Sequence, residues 1–142
     1  NIIPADRLYL GQKDYQQCMI LKKLVELENL STRIIICPTL REHDGLAMSS
    51  RNLRLTASSR AKATGIYKTL SHIKSVIKPG SLKALKETAR MELHTAGFKT
   101  DYVEIADAGT LELLDTWDGK TKLVALCAAF VDDVRLIDNM IL

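Results

Sequence analysis

The sequence predicts an α/β protein with two parts. The first is a strand–helix–strand unit at the end of a parallel-sheet domain, and the second is an α+β domain with helices on a small, mainly antiparallel sheet. In the first part, apolar residues at helical spacing lie between two short apolar runs. In the carboxyl-terminal third, short β-type runs are joined by turn residues. We expect the parts to cover residues 1–38 and 39–142.

The first predicted strand and helix are joined at a glycine. Residues 7–10 form a short apolar run, and Gly11 follows it. From residue 14 to about residue 28, apolar side chains recur at helical spacing. Asp14 is the predicted N-cap, and Gln17 lies three residues further on, which predicts an Asp-x-x-Gln capping box.

A second strand follows this helix. Asn29 is the predicted end of the helix, and residues 33–37 form a tight β-branched run closed by Pro38. The run is apolar without alternation, which is typical of a strand covered on both faces of a parallel sheet. The unit therefore predicts two parallel strands joined by a right-handed crossover. Their carboxyl ends share the edge at which ligands bind in open α/β sheets.

A long polar loop comes next, and two helices follow it. Residues 39–52 show no periodicity, and a loop of this length is usually functional or mobile. Thr56 is the predicted N-cap of one long helix, which ends at Pro79-Gly80. Ser81 is the predicted cap of a second helix, with Gly97 at its carboxyl end.

The rest of the chain has the pattern of strands. Residues 102–106 form one strand, and residues 123–131 form a second after a turn at Asp118-Gly119. Residues 134–137 form a third across a tight Asp132-Asp133 connection. Successive short strands joined by turns are predominantly antiparallel, so we expect an antiparallel sheet here.

The composition argues against several classes of function. The 20 basic and 17 acidic residues give a formal net charge of +3, too small and dispersed for a nucleic-acid surface. There is no run of about 18 apolar residues, so we expect no membrane span. Cys18, Cys37 and Cys127 lie far apart in apolar runs, which indicates reduced thiols in a cytoplasmic protein.

Two polar stretches contain residue types that bind phosphate. Ser49, Ser50 and Arg51 lie on the polar loop, and hydroxyl groups and a guanidinium fork both bond phosphate oxygens. Lys13 and Asp14 lie at a predicted helix amino terminus, where the lysine would contact a phosphate and the carboxylate would contact ribose hydroxyls. Taken alone, each stretch is also typical of a solvated loop or of a helix cap.

Four stretches share one resemblance: Gly11-Gln-Lys-Asp-Tyr-Gln-Gln17, Pro38-Thr-Leu-Arg-Glu-His-Asp-Gly-Leu-Ala-Met-Ser-Ser-Arg-Asn52, Leu55-Thr56 and Arg135-Leu-Ile-Asp-Asn139. In order and spacing they resemble the pantothenate synthetase (pantoate–β-alanine ligase) family over essentially the whole chain. The Met-Ser-Ser-Arg part is similar to the KMSKS loop of class I aminoacyl-tRNA synthetases and related nucleotidyltransferases. The combination is specific, although each motif alone is not.

The resemblance implies a fold and a reaction in two steps. Residues 1–38 would be the end of a Rossmann-like nucleotidyltransferase domain, and residues 39–142 a lid domain that begins with the phosphate loop. The carboxylate of pantoate attacks the α-phosphate of ATP, giving pantoyl adenylate and pyrophosphate. The amine of β-alanine then displaces AMP and gives pantothenate, in the pathway to coenzyme A. Mg²⁺ would bind through the ATP phosphates rather than at a protein metal site.

The resemblance also implies the residues of the site. Lys13 would contact the phosphates, and Asp14 the ribose. Gln17 would contact pantoate through its amide, and Leu40 the adenine through its backbone. The implied catalytic residues are Lys13, Ser49, Ser50 and Arg51. The implied ATP-binding residues are Gly11, Gln12, Lys13, Asp14, Leu40, Met48, Ser49, Ser50 and Arg51.

One feature of the family does not occur in this chain. The family carries a His-x-Gly-His motif and further pantoate and β-alanine contacts before the Gly-Gln-Lys-Asp stretch, and His43, His72 and His94 do not form such a motif. We therefore expect the chain to be the carboxyl-terminal half of the enzyme, to bind ATP poorly and to be inactive alone. The full-length enzyme is expected to be a homodimer.

Two alternatives stay open at this point. One alternative is a non-catalytic association module. The other is a fragment of another KMSKS-type nucleotidyltransferase that binds tRNA. Against tRNA binding, the basic residues that follow the phosphate loop are few and lack interleaved aromatic residues; they are Arg51, Arg54, Arg60 and Lys62. We expect pantoate, β-alanine and ATP as partners, with no nucleic acid and no membrane.

Overall fold

The computed structural model describes residues 5–142, so the first four residues of the predicted first part lie outside the described residues. The chain divides into two compact units between Thr39 and Leu40. Among the described residues, the first unit holds a two-stranded sheet, and the second unit holds one two-stranded and one three-stranded sheet.

The first unit is the predicted strand–helix–strand arrangement. Its elements are β1 (Arg7–Gly11), a 3-10 helix (Gln12–Asp14), α1 (Tyr15–Leu27) and β2 (Arg33–Cys37). The two strands pair in parallel, from Arg7 opposite Arg33 to Gly11 opposite Cys37. The prediction of a parallel pair with a crossover helix is therefore confirmed.

Asp14 occupies the predicted N-cap position of α1, but the predicted capping box is wrong. The backbone of Asp14 has φ −95° and ψ 55°, and its side chain makes no capping hydrogen bond. A capping side chain needs extended backbone at its own position to reach the amides of the first turn, and the preceding 3-10 helix denies Asp14 that conformation. The predicted end of the helix is confirmed, because Asn29 has a left-handed φ of 47° directly after the last turn.

The strands of this unit are more exposed than the sequence predicts. The residues of β2 after Arg33 are half-buried, and Tyr9 in β1 is 59% exposed. The helix α1 buries only Tyr15 and Cys18. Within the described residues of this unit, α1 alone packs on the sheet. The expectation of a strand covered on both faces is therefore not met.

The second unit is the predicted α+β arrangement. Its helices are α2 (Ala57–Ala63), α3 (Gly65–Val76) and α4 (Lys83–Thr95). Its strands are β3 (Gly80–Ser81), β4 (Lys99–Asp107), β5 (Thr116–Trp117), β6 (Leu123–Val131) and β7 (Val134–Ile141). An antiparallel sheet has the order β4-β6-β7, and β3 pairs with β5. The strands β4 and β7 are longer than predicted, and the pair β3–β5 is not anticipated from the sequence.

The single long helix predicted from Thr56 is divided in two. Thr56 caps α2 as predicted, with its side chain accepting from the amide of Ser59. The helix breaks at Thr64, whose hydroxyl donates to the carbonyl of Ala61 at 3.1 Å. A threonine whose hydroxyl bonds back to the preceding turn can bend a helix. Such a hydrogen bond does not alter the spacing of the apolar residues, so apolar periodicity could not show the break.

The cap predicted at Ser81 is also wrong. Ser81 pairs with Thr116 in the short β3–β5 ladder, and α4 begins after Leu82, which has no capping side chain. The amide of Leu82 donates instead to the carbonyl of Asp115 at 2.8 Å. This hydrogen bond to the residue before β5 takes the place of a local cap. Gly97 ends α4 as predicted, with a positive φ of 85°.

The core of the second unit lies between the helices and the three-stranded sheet. The helix α3 packs on β6 and β7, and α4 packs on β4 and α3. The strand β6 is almost entirely buried, as its apolar sequence predicts. Its partners in the core include Ile66, Leu70, Ile73, Leu93 and Phe98. On the β7 side of this layer lies a 3-10 helix, Ser50–Arg54, which precedes α2.

Candidate functional site

In the first unit, the predicted nucleotide-binding residues form one continuous turn. Gly11 ends β1 opposite the last residue of β2, and the 3-10 helix Gln12–Asp14 leads directly into α1. The turn is therefore at the carboxyl edge of the parallel pair and at the amino end of a helix, where partial positive charge favours an anion. Lys13 is half-buried, whereas Asp14 and Gln17 are exposed.

A buried thiol links this turn to α1. The Sγ atom of Cys18 donates to the carbonyl oxygen of Gly11 at 3.3 Å. Burial raises the pKa of the Cys18 thiol, and the nearby carboxylate of Asp14 raises it further. The thiol therefore stays protonated at neutral pH and keeps its donor, which ties the end of β1 to the first turns of α1.

In the second unit, residues 40–48 form a short hairpin rather than an irregular loop. Arg41 and Ala47 form an antiparallel bridge, and the amide of Glu42 donates to the carbonyl of Leu46 at 2.8 Å. Gly45, with a φ of 91°, turns the chain near the tip. Strands of so few residues are too short to show a periodic pattern, so they could not be predicted from the sequence alone.

Two exposed apolar side chains lie at the open end of this hairpin. The amide of Met48 donates to the carbonyl of Leu40 at 2.9 Å, which holds the two residues side by side. Leu40 is 71% exposed and Met48 is 44% exposed. Exposed apolar residues at the open end of a polar hairpin are suited to a flat ligand surface such as a base.

The predicted phosphate-binding residues follow at once, in what we call the serine turn (residues 48–51). The Oγ atom of Ser49 accepts from the amide of Arg51 at 3.2 Å. Ser50 and Arg51 are exposed at the start of a 3-10 helix, Ser50–Arg54. The turn therefore combines two hydroxyl groups and a guanidinium at the surface of the unit.

The guanidinium of Arg51 has a contact on the sheet. Its Nη1 atom donates to the carbonyl oxygen of Arg135, in β7, at 3.2 Å. Arg135 itself is held by two hydrogen bonds to Asp101, the shorter being 2.7 Å. The side chain of Arg51 is thus directed along the edge of β7 while remaining exposed.

Sequence reasoning missed the residues that hold the hairpin. Arg41 forms an ion pair of 2.6 Å with Asp138 in β7, and Arg60 in α2 forms one of 2.7 Å with Asp44. The hydrogen bond from Arg60 lowers the pKa of the Asp44 carboxyl to about 2. Arg41 and Asp138 lie 97 residues apart in the chain, and no local rule links residues at that separation. The only signal was their presence in two stretches that carry the resemblance.

Other groups with chemical potential have structural contacts. His72 and His94 are exposed on helices, and Nδ1 of His72 lies 2.5 Å from a carboxylate oxygen of Glu92. Burial and the charge of Asp138 raise the pKa of Cys127 to about 12, so this thiol is not a nucleophile. Among residues 5–142, no three histidine, cysteine or acidic side chains cluster as metal ligands would. Nor do those residues include a helix with the length and apolar character needed to cross a membrane.

The described contacts place the predicted residues in two groups, one in each unit. Gly11, Gln12, Lys13, Asp14 and Gln17 are together in the first unit. Leu40 and the serine turn are together in the second. That the two groups meet on one triphosphate remains a prediction. The chain thus has the character of a mixed α/β protein with an anion-suited turn in each unit.

Comparison with known proteins identifies the family. The family model described as pantoate-beta-alanine ligase matches residues 1–141. A pantothenate synthetase of Cytophaga hutchinsonii is 41% identical over 145 residues, covering 100% of this chain and 51% of the relative. One of Caldicellulosiruptor bescii is 43% identical over 147 residues, covering 99% of this chain and 50% of the relative.

Solved structures give the same result. The crystal structure of the pantothenate synthetase of Thermus thermophilus matches with a TM-score of 0.84 and 32% identity, over 95% of this chain and 49% of that chain. A pantoate-beta-alanine ligase of Francisella tularensis, complexed with beta-gamma ATP and beta-alanine, matches with a TM-score of 0.64 and 33% identity, over 96% and 43%. The chain belongs to the pantoate–β-alanine ligase family, and it spans about half the length of the curated relatives it matches.

Proposed function

We propose that this chain supplies the carboxyl-terminal half of an ATP-dependent ligase that joins pantoate to β-alanine. Family membership supports the reaction class, because the matched relatives are pantothenate synthetases. The share of the relatives that the chain spans, about half, supports its role as part of a longer enzyme or assembly. The family match also removes the alternative of a tRNA-binding fragment of another nucleotidyltransferase.

The first step forms a bond between pantoate and AMP. A carboxylate oxygen of pantoate attacks the α-phosphorus of ATP, and the bond from that phosphorus to pyrophosphate breaks. Lys13 and Arg51 supply positive charge, and Ser49 and Ser50 supply hydroxyl donors, for the negative charge that builds on the phosphate oxygens. Further neutralisation would come from Mg²⁺ bound through the ATP phosphates.

The second step needs positioning rather than a covalent enzyme intermediate. The amine of β-alanine attacks the acyl carbon of pantoyl adenylate, the bond to AMP breaks, and the nitrogen loses a proton. Gln17 would hold pantoate, Asp14 the ribose, and the exposed Leu40 the adenine. The second unit would act as a lid that excludes water and so protects the acyl adenylate from hydrolysis.

One observation carries this proposal. The serine turn presents two hydroxyl groups and an exposed guanidinium next to an exposed apolar pair, and a hairpin with ordered hydrogen bonds holds it. A solvated loop without a function gives no reason for Leu40 and Met48 to be exposed, or for Arg51 to be held against the backbone of β7. Phosphate donors beside an apolar surface are what an adenine nucleotide requires.

A second candidate function is a non-catalytic association module. The exposed apolar residues of the first unit favour it, since Tyr9, Ile20 and Leu27 are all well exposed. Within the ligase proposal, the same surface would be covered by the rest of the enzyme or by a second copy in a homodimer.

The free cysteines Cys18, Cys37 and Cys127 support a reducing, cytoplasmic setting.

The test is a titration with a non-hydrolysable pantoyl adenylate analogue, followed by amide hydrogen exchange. We expect protection to increase both at residues 12–17 and at residues 48–52, because both groups would contact one ligand. Arg51→Ala should weaken binding by about tenfold or more, the usual loss for a charge-assisted hydrogen bond to phosphate.

The matched control is Arg54→Ala, which removes an exposed arginine from the same 3-10 helix. It should leave analogue affinity within about twofold, since a surface charge outside the site contributes little. Because we expect the chain alone to bind weakly, the analogue is titrated to about 10 mM, and no protection at either segment at that concentration would contradict the ligase proposal. Concentration-dependent association with no response to the analogue would favour the association module instead.

A further inference from the structure

Arg41 is held by more contacts than any residue of the serine turn that follows it. Its Nη1 and Nη2 atoms donate to the two carboxylate oxygens of Asp138 at 2.6 and 3.1 Å. The same guanidinium donates to the carbonyl of Gly45 at 3.0 Å and to that of Asn139 at 3.3 Å. It therefore joins the tip of the hairpin to β7 through a two-pronged ion pair and two carbonyl groups.

An aromatic ring completes this arrangement. The Cζ atom of Arg41 lies 4.7 Å from the centre of the Tyr67 ring in α3. The same ring touches the hairpin at Gly45, where a Cβ atom would overlap two of the ring carbons. A guanidinium stacked on a ring and bonded at both prongs has one orientation, so the hairpin is fixed in direction as well as in place.

Burial makes the ion pair hard to release. The side chain of Asp138 is 4% exposed and that of Arg41 is 21% exposed. The second carboxylate oxygen also accepts from the amide of Asn139 at 2.8 Å, which satisfies more of its bonding capacity. Breaking a buried pair leaves an uncompensated charge, and this cost keeps the hairpin on the sheet.

The anchor is directly continuous with the proposed phosphate site. The hairpin returns from Arg41 to Ala47, and the serine turn begins at the next residue. At the other end of that turn, Arg51 reaches the carbonyl of Arg135, three residues before Asp138 in the same strand. Both ends of the segment therefore rest on β7.

We propose that Arg41 and Asp138 are positioning residues that hold the serine turn on β7 in the orientation needed to receive a phosphate group. The inference rests on the proposed function for the identity of the ligand, but not for the existence of the anchor. In this proposal neither residue contacts the ligand itself. Their role is to hold in place the hydroxyl groups and the guanidinium that contact the ligand. The serine turn then loses little conformational entropy when the ligand binds.

The test compares Asp138→Asn with the unaltered chain by amide hydrogen exchange. The substitution keeps the shape of the side chain but removes the charge that pairs with Arg41. We expect the amides of Glu42, Gly45 and Met48, which close the hairpin, to exchange about tenfold faster or more. Amides in β4, which does not pair with β7, should change by less than about threefold.

The matched control is Glu104→Gln, which disrupts another partly buried ion pair of the same unit. Glu104 accepts from Arg90 at 2.6 Å and from Lys86 at 3.0 Å, and these contacts join α4 to β4 rather than to the hairpin. This variant should leave the hairpin amides unchanged. If Asp138→Asn does not fold, Arg41→Lys serves instead, because it keeps a charge beside Asp138 while losing the two-pronged geometry.

The outcomes separate the inference from the proposed function. Faster exchange in the hairpin alone, with analogue affinity reduced about tenfold, would support the positioning role. Uniformly faster exchange, unchanged exchange, or a loosened hairpin with unchanged analogue affinity would each overturn it. If the unaltered chain binds no analogue even at about 10 mM, the ligase proposal fails and the phosphate-positioning role fails with it, whereas the exchange data still decide whether the anchor exists.

Discussion

Gly45 and Tyr67 set how closely the hairpin can approach α3. The glycine has a left-handed backbone, and the ring occupies the space where a side chain would begin. The approach in turn brings the ring against the guanidinium of Arg41. The absence of a Cβ atom at Gly45 thus permits both ring contacts, which help to hold the proposed phosphate site.

We expect Gly45→Ala to destabilise the chain more than Gly97→Ala does. Both glycines have a similar positive φ, 91° and 85°, so both substitutions carry the same backbone strain. Only Gly45 has a neighbour in the way, because nothing lies within 4 Å of a Cβ atom at Gly97. The difference in the free energy of unfolding should be about 1–3 kcal/mol, the usual cost of overpacking. Denaturant unfolding measures it, and equal losses would contradict the proposed clash.

At the scale of elements, the hairpin is held by one ion pair to a strand and another to a helix. Arg41 ties the hairpin to β7, and Arg60 ties it to α2 through Asp44. The second pair is the more exposed of the two, with side chains 28% and 29% accessible.

We expect Asp44 to make the stability of the chain fall with acid between about pH 4 and about pH 2. The hydrogen bond from Arg60 lowers the pKa of Asp44 from 3.8 to about 2 in the folded state. The unfolded chain therefore takes up the proton first as the pH falls, so the contribution is complete above about pH 4 and lost near pH 2.

The measurement is thermal unfolding of the unaltered chain and of Asp44→Asn from pH 6 down to about pH 2. The unaltered chain should be more stable above about pH 4, and the gap should close near pH 2, where Asp44 becomes neutral like the amide. The comparison with Asp44→Asn is needed because Asp107, Asp115 and Asp118 also have lowered pKa values and contribute to the pH dependence of both proteins. A gap that stays constant across the range would show that this pair does not carry the effect.

At the scale of the whole molecule, the chain carries two turns suited to a nucleotide and spans about half the length of the curated relatives it matches. The first unit leaves Tyr9 and Leu27 exposed around its parallel pair. A surface of this kind is normally covered by another part of a protein or by a second chain. Both features agree with the proposal that the active site is completed by residues outside this sequence.

We therefore expect this chain alone to release no pyrophosphate above background when given pantoate, β-alanine, ATP and Mg²⁺. Loss of one electrostatic donor at a reacting group commonly costs about 10²–10³ in rate, and the His-x-Gly-His stretch would supply several. The pantothenate synthetase of Thermus thermophilus is the positive control under the same conditions. Robust turnover by this chain would show that its own residues are sufficient.

Features that depend on neighbours along the chain could be predicted from the order of the amino acids. Apolar runs and helical spacing predicted the strand–helix–strand unit, and turn residues such as Asp118-Gly119 and Asp132-Asp133 marked the strand connections. The four stretches that carry the resemblance together predicted the family, and the family model confirms it. Such signals are local, since they arise from backbone preferences and from which side of an element is buried.

Features that join distant segments became visible only in the folded chain. Ser81 belongs to a strand because Thr116 pairs with it, so it does not cap α4 as the sequence predicted. Arg41 became the anchor of the hairpin because the fold brings Asp138, from the end of the chain, against it. The physical reason is that an ion pair or a ladder forms wherever folding places its partners, and separation along the chain leaves no periodic trace of them.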